Sequence, residues 1–581
     1  AALFDEVERD GLGADQRKQQ LASLDALGDL YLTVGNLAEG RKAIERQQAI
    51  ATRMAEKEPD NALWQGDVAA STFKLAGVLS DQGESTTALA AYEKALGIRQ
   101  ALALADPQNA DKRALQASAQ LQIGALYKLQ GDNARALASY EAARDIVSKL
   151  ADARPDSEAL RATLMRSLRL IGEIQQEAKQ YKEAAASYRA ELDLAEKLAA
   201  AKPDDPARQA HLADAYQDIG SIENDLIDRS KYTETGTEPA LAAFNRSIDI
   251  SRALIAADAR NAAYQRQLAM TLGKLGMLRY FGDSNITRDD SEAARNAFQE
   301  AIEINERLVA ADPGNKLWVG DMVGAYESMA TWNEFQPDEQ AALSYTKKAH
   351  QSALQLAALD PKNVAWQRKA SLYHAKIAES YIQMKDYKAA LDYEIKGLEY
   401  AIGVARANPG LPVYFNDVSA VQSRISRIYW IQKDMNNYWA QNDTLLEQTK
   451  RNVGRFPEDA DALEHLYRAY VTVAKSWTKN EPDKAIGLFR DSLAVAQKAA
   501  ALYPDDVRHL SGIYEAEINA AYVIEQKGDR QAAHDAYAAA LATARRRVAL
   551  KSGDAGYEAG VAHAQARLDI VDSGQPPPKF D

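Results

Sequence analysis

Seven histidines are the obvious candidates for acid–base or metal chemistry in this chain: His211, His350, His374, His465, His509, His534 and His563. A helical metal site sets two histidines about four residues apart, and a catalytic histidine needs a nucleophile such as the serine of a GxSxG elbow. The seven are scattered singly, and no HExxH, GxSxG, GxGxxG or Walker A pattern occurs. There is no cysteine, which removes thiol nucleophiles, thiolate metal sites, Fe–S clusters and disulfides together. The acidic run Asp283, Asp289, Asp290 and Glu292 has the ligand type for Ca²⁺ but neither the spacing nor the glycine of an EF-hand, and reads as a solvated loop. No metal, no cofactor and no enzymatic activity are expected.

The whole-chain balance narrows the partners. Against 83 acidic residues stand 70 basic ones, a net charge of −13, which argues against nucleic acid because a phosphate backbone wants a basic face. The 581 residues are 46% hydrophobic, enough for a large folded core, and no apolar run is long enough for membrane insertion. The chain begins Ala1-Ala2-Leu3-Phe4, without an initiator Met or a basic leader, so a processed chain or a piece of a longer one is expected. The compartment is cytoplasmic or periplasmic, and the absence of cysteine leans to the periplasm.

What must position any functional side chain is a repeat. Prolines recur in similar turns at Pro59, Pro107, Pro155, Pro203, Pro313, Pro361, Pro409, Pro457 and Pro504, with steps of 48, 48, 48, 110, 48, 48, 48 and 47. Ala259 takes the proline slot inside the long step. Between these turns lies a second set, including Gly83-Glu84, Gly131-Asp132, Lys385-Asp386, Lys433-Asp434 and Gly528-Asp529. Glycine there supplies a positive φ and Asp caps the following helix, while proline stops a helix interior. Each period is therefore two helices of about 20 residues, each roughly 30 Å long.

Residues at fixed places within the period give the family. Ile123-Gly124-x-x-Tyr127-x-x-x-Gly131-Asp132-x-x-x-Ala136-x-x-x-Tyr140-x-x-Ala143 resembles the tetratricopeptide (TPR) signature. The frame recurs at Ala88/Tyr92/Ala95, Gly172/Ala184/Tyr188, Gly220/Ala240/Phe244, Gly276/Ala294/Phe298, Ala341/Tyr345, Tyr381/Ala390/Gly397, Ala485/Phe489 and Ala533/Tyr537/Ala540. The resemblance covers essentially residues 15–570. The period departs from the usual one of about 34, and the ninth unit (Asp434 to Asn442) has lost the small/aromatic pair. Asp360-Pro361-Lys362-Asn363-Val364-Ala365-Trp366-Gln367 is also similar to long-period TPR arrays of bacterial multidomain signalling proteins.

The resemblance implies an all-α fold, a TPR-like α-solenoid (superhelix) of about eleven helix-turn-helix repeats. The expected organisation is a leader over 1–14, a continuous solenoid over 15–571 with a terminal helix near Asp554–Val571, and a flexible tail over 572–581. Loop insertions fall near 229–238 and 282–290, side by side on one edge, where a binding face is one reading. In TPR superhelices the first (A) helix of each pair lines the concave groove, so the resemblance implies a scaffold for a protein or peptide partner, its oligomeric state open. Its alternative is a sensor or autoinhibitory module of a larger bacterial signalling or defence enzyme whose catalytic domain precedes residue 1.

Aromatic residues number 15 before residue 291 and 29 after it. Tyr326, Trp332, Trp430, Tyr467, Tyr470, Trp477 and Tyr522 fall on A helices and are the expected partner-binding set, since stiff rings offer large contact area. Trp64, Trp318, Trp366, Tyr264, Tyr414 and Tyr557 repeat with the turn and are expected in the core. A chaperone-tail clamp needs paired Lys/Asn positions; Asp25, Asp29, Phe73, Leu121, Ala125, Arg169, Glu173 and Gln217 stand there instead, so no such partner is carried over.

Overall fold

The structure, a computed structural model, describes residues 13–34, 36–227, 236–282, 287–336, 338–361 and 363–574. Among them are 23 helices and no strand. They group into two compact units, one ending at Ala301 and the other beginning at Ile302. Repeats one to six pair Ala14–Thr33 with Leu37–Lys57, Ala62–Asp81 with Ser85–Ala105, Ala110–Leu129 with Asn133–Ala153, Glu158–Glu177 with Tyr181–Ala201, Pro206–Asp225 with Glu238–Ala257, and Ala262–Phe281 with Arg288–Ala311. Repeats seven to eleven pair Lys316–Glu334 with Glu339–Leu359, Val364–Gln383 with Tyr387–Ala407, Pro412–Ile431 with Met435–Arg455, Ala460–Trp477 with Pro482–Leu502, and Val507–Gln526 with Arg530–Leu550. A last helix, Ala555–Ser573, packs on the final B helix, close to where the sequence places it.

The turns work as their residue types dictate. Asn61, Asn109, Asn261, Asn315 and Asn363 accept backbone N–H groups at the start of their A helices, as do Asp205, Asp459, Asp506 and Asp554. A glutamine four residues after the cap closes the turn, its side-chain amide donating back to the residue in the proline slot: Gln209 to the Pro203 carbonyl at 3.0 Å, Gln265 to that of Ala259 at 2.7 Å. At the A–B turns Gly83, Gly131 and Gly528 have φ near +80°. Lys179, Lys385 and Lys433 hold the same left-handed conformation with φ near +60°, which costs a residue with a Cβ roughly 1–2 kcal/mol.

Each helical pair is closed by one buried residue on its B helix, in most repeats eight positions after the cap. In repeat three the cap is Asp132 and the plug Tyr140, pressed on Gly124 so closely that a Cβ there would lie 2.5 Å from the ring. Gly172 faces Tyr188, Gly220 faces Phe244 and Gly276 faces Phe298 in the same way. This small-residue/aromatic packing recurs along the first unit and in repeats ten and eleven, and with the unbroken order of paired helices it makes each unit a TPR-like α-solenoid.

One expectation of register needs correction. In repeat seven the cap is Asp338, so the plug is Thr346 between buried Ala342 and Ala349; Ala341 and Tyr345 are each rotated out by one residue. In repeat eight the plug is Glu394, after buried Ala390. Of the six aromatics after the proline turns, Trp64 and Tyr414 are buried, whereas Trp318, Trp366, Tyr264 and Tyr557 are half-buried on the hairpin shoulders. Residues 229–235 and 283–286 of the two expected insertions, the leader through residue 12 and the tail beyond Gly574 lie outside the described residues; Asp289, Asp290 and Glu292, expected in a solvated loop, stand instead in the first turns of helix Arg288–Ala311, and the last helix runs on to Ser573.

Candidate partner-binding face

The A helices carry a ladder of polar contacts, each joining one repeat to the next. In the first unit Lys74 bonds Asp25 and Asp29, Lys128 bonds Glu173 at 2.9 Å, Arg169 lies 3.6 Å from Asp214, and Lys274 donates to Ser221 at 2.8 Å. In the second, Lys369 pairs with Glu327, Arg368 with Asp417 at 2.6 Å, Arg427 with Glu379, and Lys475 with Glu515. Most of these side chains are part-exposed, so each pair stabilises by only ~0.2–1 kcal/mol. Their larger effect is to make the A-helix face a charged, ordered surface. Four of the positions noted for lacking a chaperone clamp, Asp25, Asp29, Arg169 and Glu173, are members of this ladder.

Part of the ladder sinks into the first unit. Glu191, on the B helix of repeat four, is only 4% exposed, and its Oε2 has no hydrogen-bond partner. Burial, reinforced by the Asp218 charge, pushes its carboxyl up to about 9. Burial also raises Asp218 to about 7, although Lys274 and Arg169 oppose the shift. At neutral pH Glu191 is therefore a protonated acid, while Asp218 titrates near neutrality against the opposing charges of Lys274 and Arg169.

Two further polar groups are buried in the second unit. The rings of His350 and His374 meet at 4.4 Å, and burial lowers both imidazoles, His350 to about 4. Both are thus neutral at physiological pH, which suits a packed pair and not a cationic site. Glu394, the plug of repeat eight, accepts a hydrogen bond from Arg424 Nε at 2.6 Å. Among the described residues no group of three or more His, Asp or Glu is placed to hold a metal ion, and no helix is long and apolar enough to cross a membrane.

Repeat nine is the exception in the plug series. Its A position is Ser426 and its B position Asn442, and the serine hydroxyl donates to the asparagine Oδ1. Neither side chain fills the space that a ring takes elsewhere. A cavity of about 290 Å³ remains, lined by Ser423, Ser426, Arg427, Trp430, Tyr438, Asn442, Leu445 and Thr472. Asn442 is 2% exposed, and its side-chain amide lies against the Tyr438 hydroxyl, opposing the upward shift that burial gives the phenol. Trp430 and Tyr438 meet at the rim with ring centroids 5.2 Å apart and planes tilted by 52°.

The seven aromatics expected to bind a partner separate by burial. Tyr467, 1% exposed, is itself a plug, packed so tightly on Gly512 of the next A helix that a Cβ there would come within 2.5 Å. Tyr326, 6% exposed, donates its hydroxyl to Glu306 at 2.7 Å. These two present no surface, because their A helices turn them inward to fill core. Trp332, Tyr470, Trp477 and Tyr522 are half-buried; Lys484 stands 3.2 Å over the Trp477 ring and Arg567 5.0 Å over Tyr522. Trp430 alone of the seven is mostly in water, at 55% exposure. The loss of the small/aromatic pair at Asn442, visible in the sequence, was the signal for the cavity beside it.

No family model matches the chain, and no curated protein matches it. Among solved structures it is similar to the apo form of RapI, at 14% identity and a TM-score of 0.39 over 58% of this chain and 99% of that one. It is similar to the S. pombe nuclear import adaptor Nro1, at 12% and 0.38, over 54% of this chain and 99% of that one. A tetratricopeptide repeat protein from Parabacteroides merdae gives 16% and 0.30, over 59% and 98%. The assignment of this chain as a TPR-like α-solenoid rests on its own helix order and plug packing.

Proposed function

We propose that this chain is a docking scaffold whose partner, a protein or peptide segment, engages the A-helix face of the second unit around repeat nine. The observation that carries the reading is Trp430, a large ring standing mostly in water on an A helix at the rim of an open cavity. Aromatic rings that become buried at an interface carry much of its binding energy. The charged ladder on either side supplies the polar rim that such an interface needs. Elsewhere the array places its aromatic plugs inside the hairpins, where they hold helices and not partners.

The test is a peptide-display selection on the purified full chain, followed by the same binding measurement on Trp430→Ala. Selected peptides should crosslink to repeats eight to ten and lose about ten-fold or more in affinity in the variant, the loss typical of an interface anchor. Crosslinks confined to the B helices, or full affinity in Trp430→Ala, would overturn the reading.

A further inference from the structure

We propose that the partner segment taken by the A helices of repeats eight, nine and ten is acidic, presenting side-chain carboxylates to Lys376, Arg427 and Arg468 around Trp430. This rests on the docking reading above and names the chemistry of the segment.

The first observation is a local surplus of positive charge. The three A helices, Val364–Gln383, Pro412–Ile431 and Ala460–Trp477, carry seven Lys or Arg against four Asp or Glu. The chain as a whole stands at −13, and the A helices of repeats seven and eleven, on either side, carry one cation and three acids each. The surplus is therefore bounded, and it includes the helix that bears Trp430.

The second observation is which member of each ion pair faces water. Arg468 is 63% exposed and its carboxylate Glu464 12%; Lys376 is 56% exposed and its carboxylate Glu327 29%. Arg427 is likewise more exposed than Glu379, and Lys475 more than Glu515. The recessed acids are also shared, Glu327 between Lys369 and Lys376, and Glu464 between Arg468 and Arg508. In the first unit the order reverses for Lys74 and Lys128, each less exposed than the carboxylates it holds. The same kind of ladder thus turns acids outward in the early repeats and cations outward at eight to ten.

This arrangement discriminates by charge. Exposed pairs hold weakly, so an incoming carboxylate can take the outer side of each cation while the recessed acid keeps the inner one. A basic segment meets the outward cations first and is repelled. Packed helices lie about 8–10 Å apart and an extended chain advances ~3.3 Å per residue, so acids about three residues apart match successive A helices. An apolar residue between two such acids falls at Trp430, on the middle helix. Charges beyond about 10 Å are screened at ordinary salt, so a short segment feels the face it covers and not the net charge of −13. A long phosphate backbone reaches past the basic stretch onto the acidic helices on either side, which disfavours nucleic acid.

The experiment uses the full chain and a short fluorescent peptide of glycine and serine around a central leucine, with a glutamate on each side about three residues away. Its C-terminus is amidated, so that side-chain acids alone are tested; counterparts carry glutamine or lysine for glutamate. In anisotropy titrations the wild type should bind the glutamate peptide about five-fold or more tighter than the glutamine one, and the lysine one least. High salt should shrink the difference. Lys376→Glu with Arg468→Glu should abolish the preference. Lys388→Glu, which changes an exposed lysine on the B helix of repeat eight, should keep it. Thermal melts check that both variants are folded. Equal affinity for the glutamate and glutamine peptides overturns the proposal, as does a preference retained in the folded double variant or lost equally in Lys388→Glu. If the double variant fails to fold, an unchanged preference in Arg468→Gln overturns it. A single-stranded oligonucleotide that binds tighter than the glutamate peptide, and is lost in the same double variant, overturns it in favour of nucleic acid. Display-selected peptides that crosslink to repeats eight to ten without an excess of acids leave the docking reading standing and overturn this one. Glutamate-dependent binding at full strength in Trp430→Ala leaves the acidic preference standing and overturns the Trp430 anchor.

Discussion

Replacing Glu191 with glutamine should stabilise the first unit at neutral and alkaline pH, although it removes a buried acid. Glu191 is 4% exposed and sits near Asp218, Asp214 and Glu173, with Arg169 as the balancing cation. Burial, added to by the Asp218 charge, moves its carboxyl from the usual 4.5 to about 9. Between those two values the folded chain holds a proton that the unfolded chain has released. Stability therefore falls as pH rises through that window, by at most ~1.4 kcal/mol per pH unit. At pH 7 the accumulated loss is ~3 kcal/mol, and above about pH 9 it stops growing. Glutamine keeps the shape and neutrality of the protonated acid and has no proton to lose. The assay is amide hydrogen exchange in repeats four and five, with thermal melts, at pH 5.5, 7 and 8.5. The variant should already exceed the wild type by ~1.4 kcal/mol at pH 5.5, and increasingly so toward pH 8.5. An identical pH slope in both proteins, or a variant less stable at pH 8.5, would refute the picture of a neutral buried acid.

Four further outcomes follow from the same packing. Gly124→Ala forces a methyl to 2.5 Å from the Tyr140 ring and should destabilise repeat three and its neighbours by ~1–3 kcal/mol, read by hydrogen exchange. Tyr140→Ala should cost more, ~3–5 kcal/mol, by leaving a cavity between the same helices. Lys433→Gly should stabilise repeat nine by ~1 kcal/mol in denaturant melts, because glycine holds φ near +60° without the left-handed penalty. His350 is held by burial, and by His374 beside it, down to about 4, so the second unit should lose ~1–3 kcal/mol as pH falls from about 6.5 to 4. His350→Phe should flatten that loss; an unchanged acid limb in its melts would place the sensitivity elsewhere.

Much of this architecture is written locally. The step between proline turns, the Asn and Asp caps, and the glycines opposite Tyr140, Tyr188 and Phe298 each follow from what a few neighbouring residues do to the backbone. They were legible because proline, glycine and cap side chains act within four residues of themselves. The gap at Asn442 was legible too, as a missing ring in an otherwise regular series. The candidate site was less so: Tyr326 and Tyr467 share with Trp430 an A-helix address and an aromatic ring, and nothing local distinguishes them.

The sequence by itself determined the period, the all-helical class and the positions of the turns, because those depend on short-range conformational rules repeated eleven times. Tertiary structure decided the facing of each side chain. A shift of one residue turns a helical position by about 100°, which is why Tyr345 leaves the core and Thr346 enters it once Asp338 sets the start of the helix. It also decided the charged ladder, whose partners such as Arg368 and Asp417 are one repeat apart and meet only when A helices lie side by side. And it decided that Ser426 and Asn442 bond each other, beside an open cavity at the foot of Trp430.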